Sequence, residues 1–190
     1  MQWVQDNFHV VTGGPGSGKS TLIDRLERAG FMRSCEAGRG IIREQVEIGG
    51  TAVPWHDRAL FSELMLSWEM RSYRTAQRHA PQGPVLFDRG IPDIVGYLRL
   101  EGLEVPSHVA EAATRFCYNR RVFIAPPWPE IYERDAERKQ DTDTARRTCE
   151  AMAAVYAELG YDLVELPRCS VEERADFVRM HVLRTGEACR

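Results

Sequence analysis

Short apolar runs alternate along this chain with stretches in which apolar residues recur every three or four positions. The runs FHVVTG (8–13), FMRSC (31–35), PVLFD (84–88), RVFIA (121–125) and YDLVEL (161–166) are bounded by turn residues, the pattern of short buried strands. Helical spacing follows Gly18, Gly38, His56, Pro92, Pro106, Thr142 and Ser170. The stripe Leu60, Phe61, Leu64, Met65 and Trp68 belongs to one such helix and reads as core. Strands that alternate with helices, and are apolar on both sides, predict a parallel sheet covered on both faces. The expected architecture is thus a single α/β domain over 1–190, a three-layer α/β/α sandwich. Ligands of such a sheet bind beyond the carboxyl ends of its strands, which here carry Gly13, Glu36, Asp88 and Pro126.

Composition narrows the partners. With 190 residues, 43% hydrophobic and 28% charged, the chain is long enough for one sizeable core. Its formal net charge of -3 gives no broad basic face, so nucleic acid is not an expected partner. No uninterrupted apolar run approaches the ~18 residues of a membrane helix, and the strand pattern begins by Phe8, so a cytoplasmic location is expected. The five cysteines are scattered without a C-x-x-C pair and read as reduced structural thiols, not as zinc ligands. The five histidines form no cluster; His56, beside Trp55, is the one retained for a substrate contact.

One motif carries chemistry directly. HVVTGGPGSGKSTL fits G-x-x-x-x-G-K-[ST], after a strand and before an amphipathic helix (Leu22, Ile23, Leu26). Its residues Gly13, Gly14, Pro15, Gly16, Ser17, Gly18, Lys19, Ser20 and Thr21 are expected to wrap a polyphosphate with backbone N–H groups and a helix N-terminus. Lys19 is expected to reach the β- and γ-phosphates of ATP, and Ser20 to ligate Mg²⁺. No N-K-x-D stretch specifies guanine after the fourth strand, and nothing provides the helical lid domain of a hexameric motor. A compact kinase, or a small ATPase that switches a partner, remains.

The loop GGPGSGKST, the segment CEAGR after the second strand, FDRG ending the third and YERDAERKQD between the last two together resemble the small P-loop kinases of nucleosides and nucleotides. Over nearly its whole length the chain looks like bacterial stand-alone proteins described as AAA-family ATPases, which are similar to the kinase half of ribosylnicotinamide kinase regulators. The resemblance implies a five-stranded parallel sheet of order 2-3-1-4-5, with the acidic third strand beside the P-loop strand. It implies that Asp88 holds Mg²⁺ or takes a proton, and that Arg89 neutralises phosphate or grips the acceptor. The bland alternative is a pair that only fixes the turn before Ile91-Pro92. In the similar deoxynucleoside kinases an acid at the end of the second strand accepts the proton of the attacking hydroxyl, which points to Glu36. Arg39 and Arg43, four residues apart on one helix face, are expected to bind substrate anions or else to form a salt-bridged helix start.

The same resemblance places a lid at 130–146, with Arg134 toward ATP and Arg138 countering charge on the transferred group. The pair Arg146–Arg147 reads as surface, and Trp128 as core or rim packing. A strict hydrolase would carry a second acid after Asp88, and this chain has Arg89 there, which favours transfer over hydrolysis. The resulting expectation is an ATP- and Mg²⁺-dependent phosphotransferase with catalytic Lys19, Glu36, Asp88 and Arg138. Its partner would be a small-molecule acceptor, a nucleoside or nucleotide among the candidates, and a homodimer is the one assembly admitted. The alternatives are a regulatory ATPase that switches a protein partner, or a toxin- or resistance-type kinase acting on a sugar or antibiotic. Around Glu36 the longer pattern of deoxynucleoside kinases is absent, and so is the loop Arg of thymidylate kinases, so the resemblance names no acceptor.

Overall fold

Five strands form one parallel sheet in the computed structural model, which describes residues 5–34, 36–79, 83–131 and 142–183. They are β1 (Phe8–Gly13), β2 (Met32–Ser34), β3 (Val85–Asp88), β4 (Arg121–Ala125) and β5 (Asp162–Glu165), in the order β2-β3-β1-β4-β5. The central strand β1 is flanked by β3 in the register Val11↔Asp88 and by β4 in the register Gly13↔Ala125. The glycine loop and the Asp-Arg turn therefore leave the sheet side by side. This is the expected three-layer sandwich and strand order.

Alternation along the strands builds two cores. Val11, Leu86, Phe123 and Ala125 face α1 (Lys19–Arg28) and α7 (Val171–Leu183), packing on Leu22, Leu26, Ala175 and Val178. On the other face, Phe8, Val10, Val85, Phe87 and Val122 meet Tyr73, Tyr118 and Tyr156. These come from α3 (Arg58–His79), the segment before β4, and α6 (Thr142–Glu158). A third cluster joins α3 and α6 to α4 (Ile91–Leu100) and α5 (Ser107–Arg115). A smaller one packs α2 (Ala37–Ile48) on α3 through Ala37, Ile41 and Phe61. No described helix is long and apolar enough to cross a membrane.

Two element starts differ from the pattern reading. Helix α2 begins at Ala37, ahead of Gly38, because Glu36 already occupies the flanking position. Helix α4 takes Pro92 into its first turn, where a missing N–H breaks no intrahelical bond. The α3 stripe is also less uniform than expected: Phe61 is buried, but Leu60 is 42% exposed at the start of the helix.

Candidate active site

The loop after β1 is shaped by steric demands that only glycine meets. Gly13 has φ 126°, and a Cβ there would run into the carbonyl oxygen of Ala125 on β4. Gly18, at φ 74°, caps α1 and leaves space for the guanidinium of Arg174, which would stand 2.7 Å from a Cβ. The loop wraps Lys19, whose Nζ donates to the carbonyls of Gly14 at 2.6 Å and Gly13 at 3.2 Å and to Ser17 Oγ at 3.3 Å. Burial, then the charge of Arg89, lowers the Lys19 pKa to about 8 against the pull of Asp88, Glu36 and Asp93. A buried ammonium so incompletely compensated fits a polyphosphate partner.

Pro15 through Thr21 line a cavity of about 360 Å³ together with Glu36, Arg39, Arg89, Asp93 and residues of α3, α4 and α6. That volume suits a small molecule. Glu36, at the N-terminus of α2, is held by Arg39 at 3.0 Å and Arg89 at 3.4 Å. Burial pushes its carboxyl up, but the cations Arg89, Lys19 and Arg39 outweigh that and hold it below its ordinary value. Asp88 goes the other way, raised by burial and by the charge of Glu36. Ser20 donates to Asp88 Oδ2 at 3.4 Å, and Oδ1 is buried without a hydrogen-bond partner. That orphaned oxygen beside a hydroxyl fits a divalent cation shared with phosphate and water. Among the described residues no group of three or more His, Cys, Asp or Glu side chains is arranged to hold a metal alone.

Arg89 adopts φ 72°, outside the ordinary range of a residue with a side chain. Asp93 fixes it there: its Oδ1 accepts from Arg89 Nη1 at 3.0 Å and from Thr12 Oγ1 at 2.5 Å, and its Oδ2 from the Gly90 N–H at 2.9 Å and Tyr156 Oη at 2.7 Å. Burial works against the Arg89 charge, but Asp93, Glu36 and Asp88 hold its pKa above the ordinary value. Lys19, Ser20, Glu36, Asp88, Arg39 and Arg89 are thus brought together. Arg43 is exposed on α2 and does not line the cavity, and His56 is exposed outside it. Arg134 and Arg138 lie outside the described residues. Arg146 pairs with Asp143 at 2.8 Å and Glu150 at 2.7 Å on the surface, as expected.

Sequence reading missed four contributors. Asp93 stood at the third position of a helix, where an acid signals a cap. Glu69 was one of two acids on α3, with nothing local to set it apart from Glu63. Tyr156 and Arg174 gave no local signal. Arg174 is 4% exposed; its Nη2 donates to the Ser17 carbonyl at 3.1 Å, and its guanidinium lies 5.6 Å from the Trp128 ring centre. The reading of Trp128 as packing agrees with that contact. The α3 stripe needs a correction: Phe61 and Met65 also line the cavity, because α3 forms one of its walls.

A family model described as "AAA domain" matches residues 8–174. The chain belongs to that AAA domain family. No curated protein matches it. Among solved structures, this AAA domain is similar to the deoxyadenosine kinase of M. mycoides with products dCMP and a flexible dCDP bound. The TM-score is 0.61 at 11% identity, covering 94% of this chain and 99% of the other. A structure of deoxyadenosine kinase from M. mycoides with dATP bound gives 0.55 at 12% identity, covering 92% and 98%. NadR in complex with NR gives 0.66 at 20% identity over 93% of this chain, which spans 51% of NadR. These likenesses agree with the P-loop kinase fold.

Proposed function

We propose that this AAA domain is an ATP- and Mg²⁺-dependent phosphotransferase that phosphorylates a hydroxyl or phosphate group of a small molecule. The observation that carries the reading is one cavity in which the P-loop Lys19 faces an ionised carboxylate, Glu36, held between Arg39 and Arg89. A hydrolase needs only water beside the phosphate, whereas this cavity continues past Glu36 onto the apolar side chains of Phe61, Met65, Ile94 and Tyr97. The similar structures, a deoxyadenosine kinase and a complex of NadR with NR, support the same class.

In this mechanism the loop N–H groups and Lys19 hold the β- and γ-phosphates of ATP. Ser20 and Asp88 would hold Mg²⁺, which would supply charge neutralisation on the phosphate oxygens. Glu36 takes the proton of the acceptor hydroxyl as its oxygen bonds to the γ-phosphorus and the bond to the β-phosphate oxygen breaks, releasing ADP. Arg89, fixed by Asp93, stands ready to balance charge on the transferred group. Arg39 holds Glu36 and is available to the acceptor's anionic part.

The test is ATP-dependent formation of phosphorylated products from a pool of cellular metabolites, with Lys19→Ala as control. Products made by the wild type and lost by at least 10²-fold in Lys19→Ala are expected. Turnover of the variant at the wild-type rate would remove the reading. ATP hydrolysis stimulated only by a protein would favour the regulatory alternative.

A further inference from the structure

Every buried carboxylate in the cavity has an assignment except one. Glu36 is held by two arginines and Asp93 by four donors, while Asp88, which does not line the cavity, accepts from Ser20 and keeps Oδ1 for the Mg²⁺ of the proposed reaction. Glu69 lies one helical turn beyond Met65 on α3, is 3% exposed and lines the same cavity. Its Oε2 is buried without a hydrogen-bond partner. A carboxyl in that position costs stability and would be replaced by an apolar residue if packing were its only role. The same cavity also carries an apolar wall, Phe61 and Met65 from α3, Ile94 and Tyr97 from α4 and Met152 from α6, beside the charged groups Asp93, Glu36 and Arg89.

We propose that Glu69 reads the non-reacting end of the acceptor, and that this end is a nitrogen-containing ring presenting N–H donors or a ring cation. The inference rests on the kinase reading above. An acceptor made only of hydroxyls would set polar groups against Phe61, Met65 and Ile94. A wholly apolar one would leave Glu69 unpaired. A nitrogenous ring satisfies both, covering the apolar wall with its faces and meeting the carboxyl with its edge. Burial and the charges of Asp93, Asp88 and Glu36 push the Glu69 carboxyl well above the ordinary range, against the pull of Arg89. In either protonation state Glu69 retains an acceptor oxygen, so a neutral donor edge is served by both and a ring cation by the ionised form.

The experiment measures phosphorylated product from ATP with deoxyadenosine, deoxycytidine, nicotinamide riboside or plain ribose as acceptor. For at least one ring-bearing probe, kcat/KM should exceed the ribose value by 10²-fold or more. Glu69→Leu should shrink that ratio at least tenfold. Glu69→Gln, which keeps an acceptor oxygen, should preserve most of the ratio for an amino-bearing neutral ring and lose it for the cationic pyridinium. Thermal melting without ligand supplies a second readout: Glu69→Leu should melt at or above the wild-type temperature. A ratio unchanged in Glu69→Leu, equal use of ribose and rings, or a lowered melting point would overturn the proposal. If the wild type phosphorylates none of the probes but makes Lys19-dependent products from metabolites, the Glu69 inference fails while the kinase reading stands. Products that do not depend on Lys19 would instead sink the kinase reading.

Discussion

Arg89 is the only described residue other than glycine with a positive φ. Such a backbone costs about 1–3 kcal/mol and persists where its surroundings over-determine it. Here its N–H donates to the Val11 carbonyl at 3.0 Å while its guanidinium is gripped by Asp93 and Glu36. The strained turn thus holds a positive charge in the cavity that the P-loop also lines. Glu36 and Asp88, both beside that charge, should respond differently to neutral substitution. Glu36→Gln should slow the chemical step by roughly 10²–10⁴-fold, as for a lost general base, and excess Mg²⁺ should not restore it. Asp88→Asn should raise the Mg²⁺ requirement and be partly rescued by excess metal. A Mg²⁺ titration of single-turnover rates with both variants checks this, and rescue of Glu36→Gln alone would mean the two roles are exchanged. Lys19, Ser20, Glu36 and Asp88 were legible because each sits in a short local pattern at a strand end. Asp93 and Glu69 were not, since their importance comes from partners or neighbours far along the chain, Tyr156 being 63 residues from Asp93.

At the scale of elements, strand positions were legible to within a residue or two, because apolar runs and turn residues mark them. The sheet buries a few polar side chains, Thr12 and Asp88 at the site end and His9 nearer the start of β1. His9 on β1 is 3% exposed, and its Nδ1 is buried without a hydrogen-bond partner. Burial, then the charge of Arg121, lowers its pKa to about 4 from the ordinary 6.5. The folded state therefore needs a neutral imidazole. Its contribution is intact above pH 6.5 and is lost as the pH falls through 4, by up to about 3 kcal/mol across the window. Denaturant unfolding at pH 7 and pH 4 should show that loss in the wild type and a smaller one in His9→Leu. Equal losses in the two proteins would place the acid sensitivity in other groups.

For the whole molecule, the sheet order and layers were legible, the order through resemblance and the layers through periodicity. What stayed hidden was how the last helix supports the first loop. Arg174 on α7 props Ser17 and packs on Trp128, 157 residues from the carbonyl it holds. Arg174→Met should cost about 1–3 kcal/mol of stability and also weaken ATP binding several-fold, since the loop loses its support. Calorimetric ATP titration beside denaturant unfolding separates these, and unchanged affinity would confine Arg174 to holding α7. The arrangement also bears on the order in which the protein matures as it leaves the ribosome. Phe8–Thr21 is made early, yet its strand neighbours are β3 and β4, and its supporting arginine comes with α7. Until then Leu22, Leu26 and Val11 lack the covering side chains of Ala175 and Val178. A nascent chain stopped before residue 171 would thus display an apolar face and an unsupported phosphate loop, which makes it a substrate for chaperones and proteases before it is a nucleotide-binding protein.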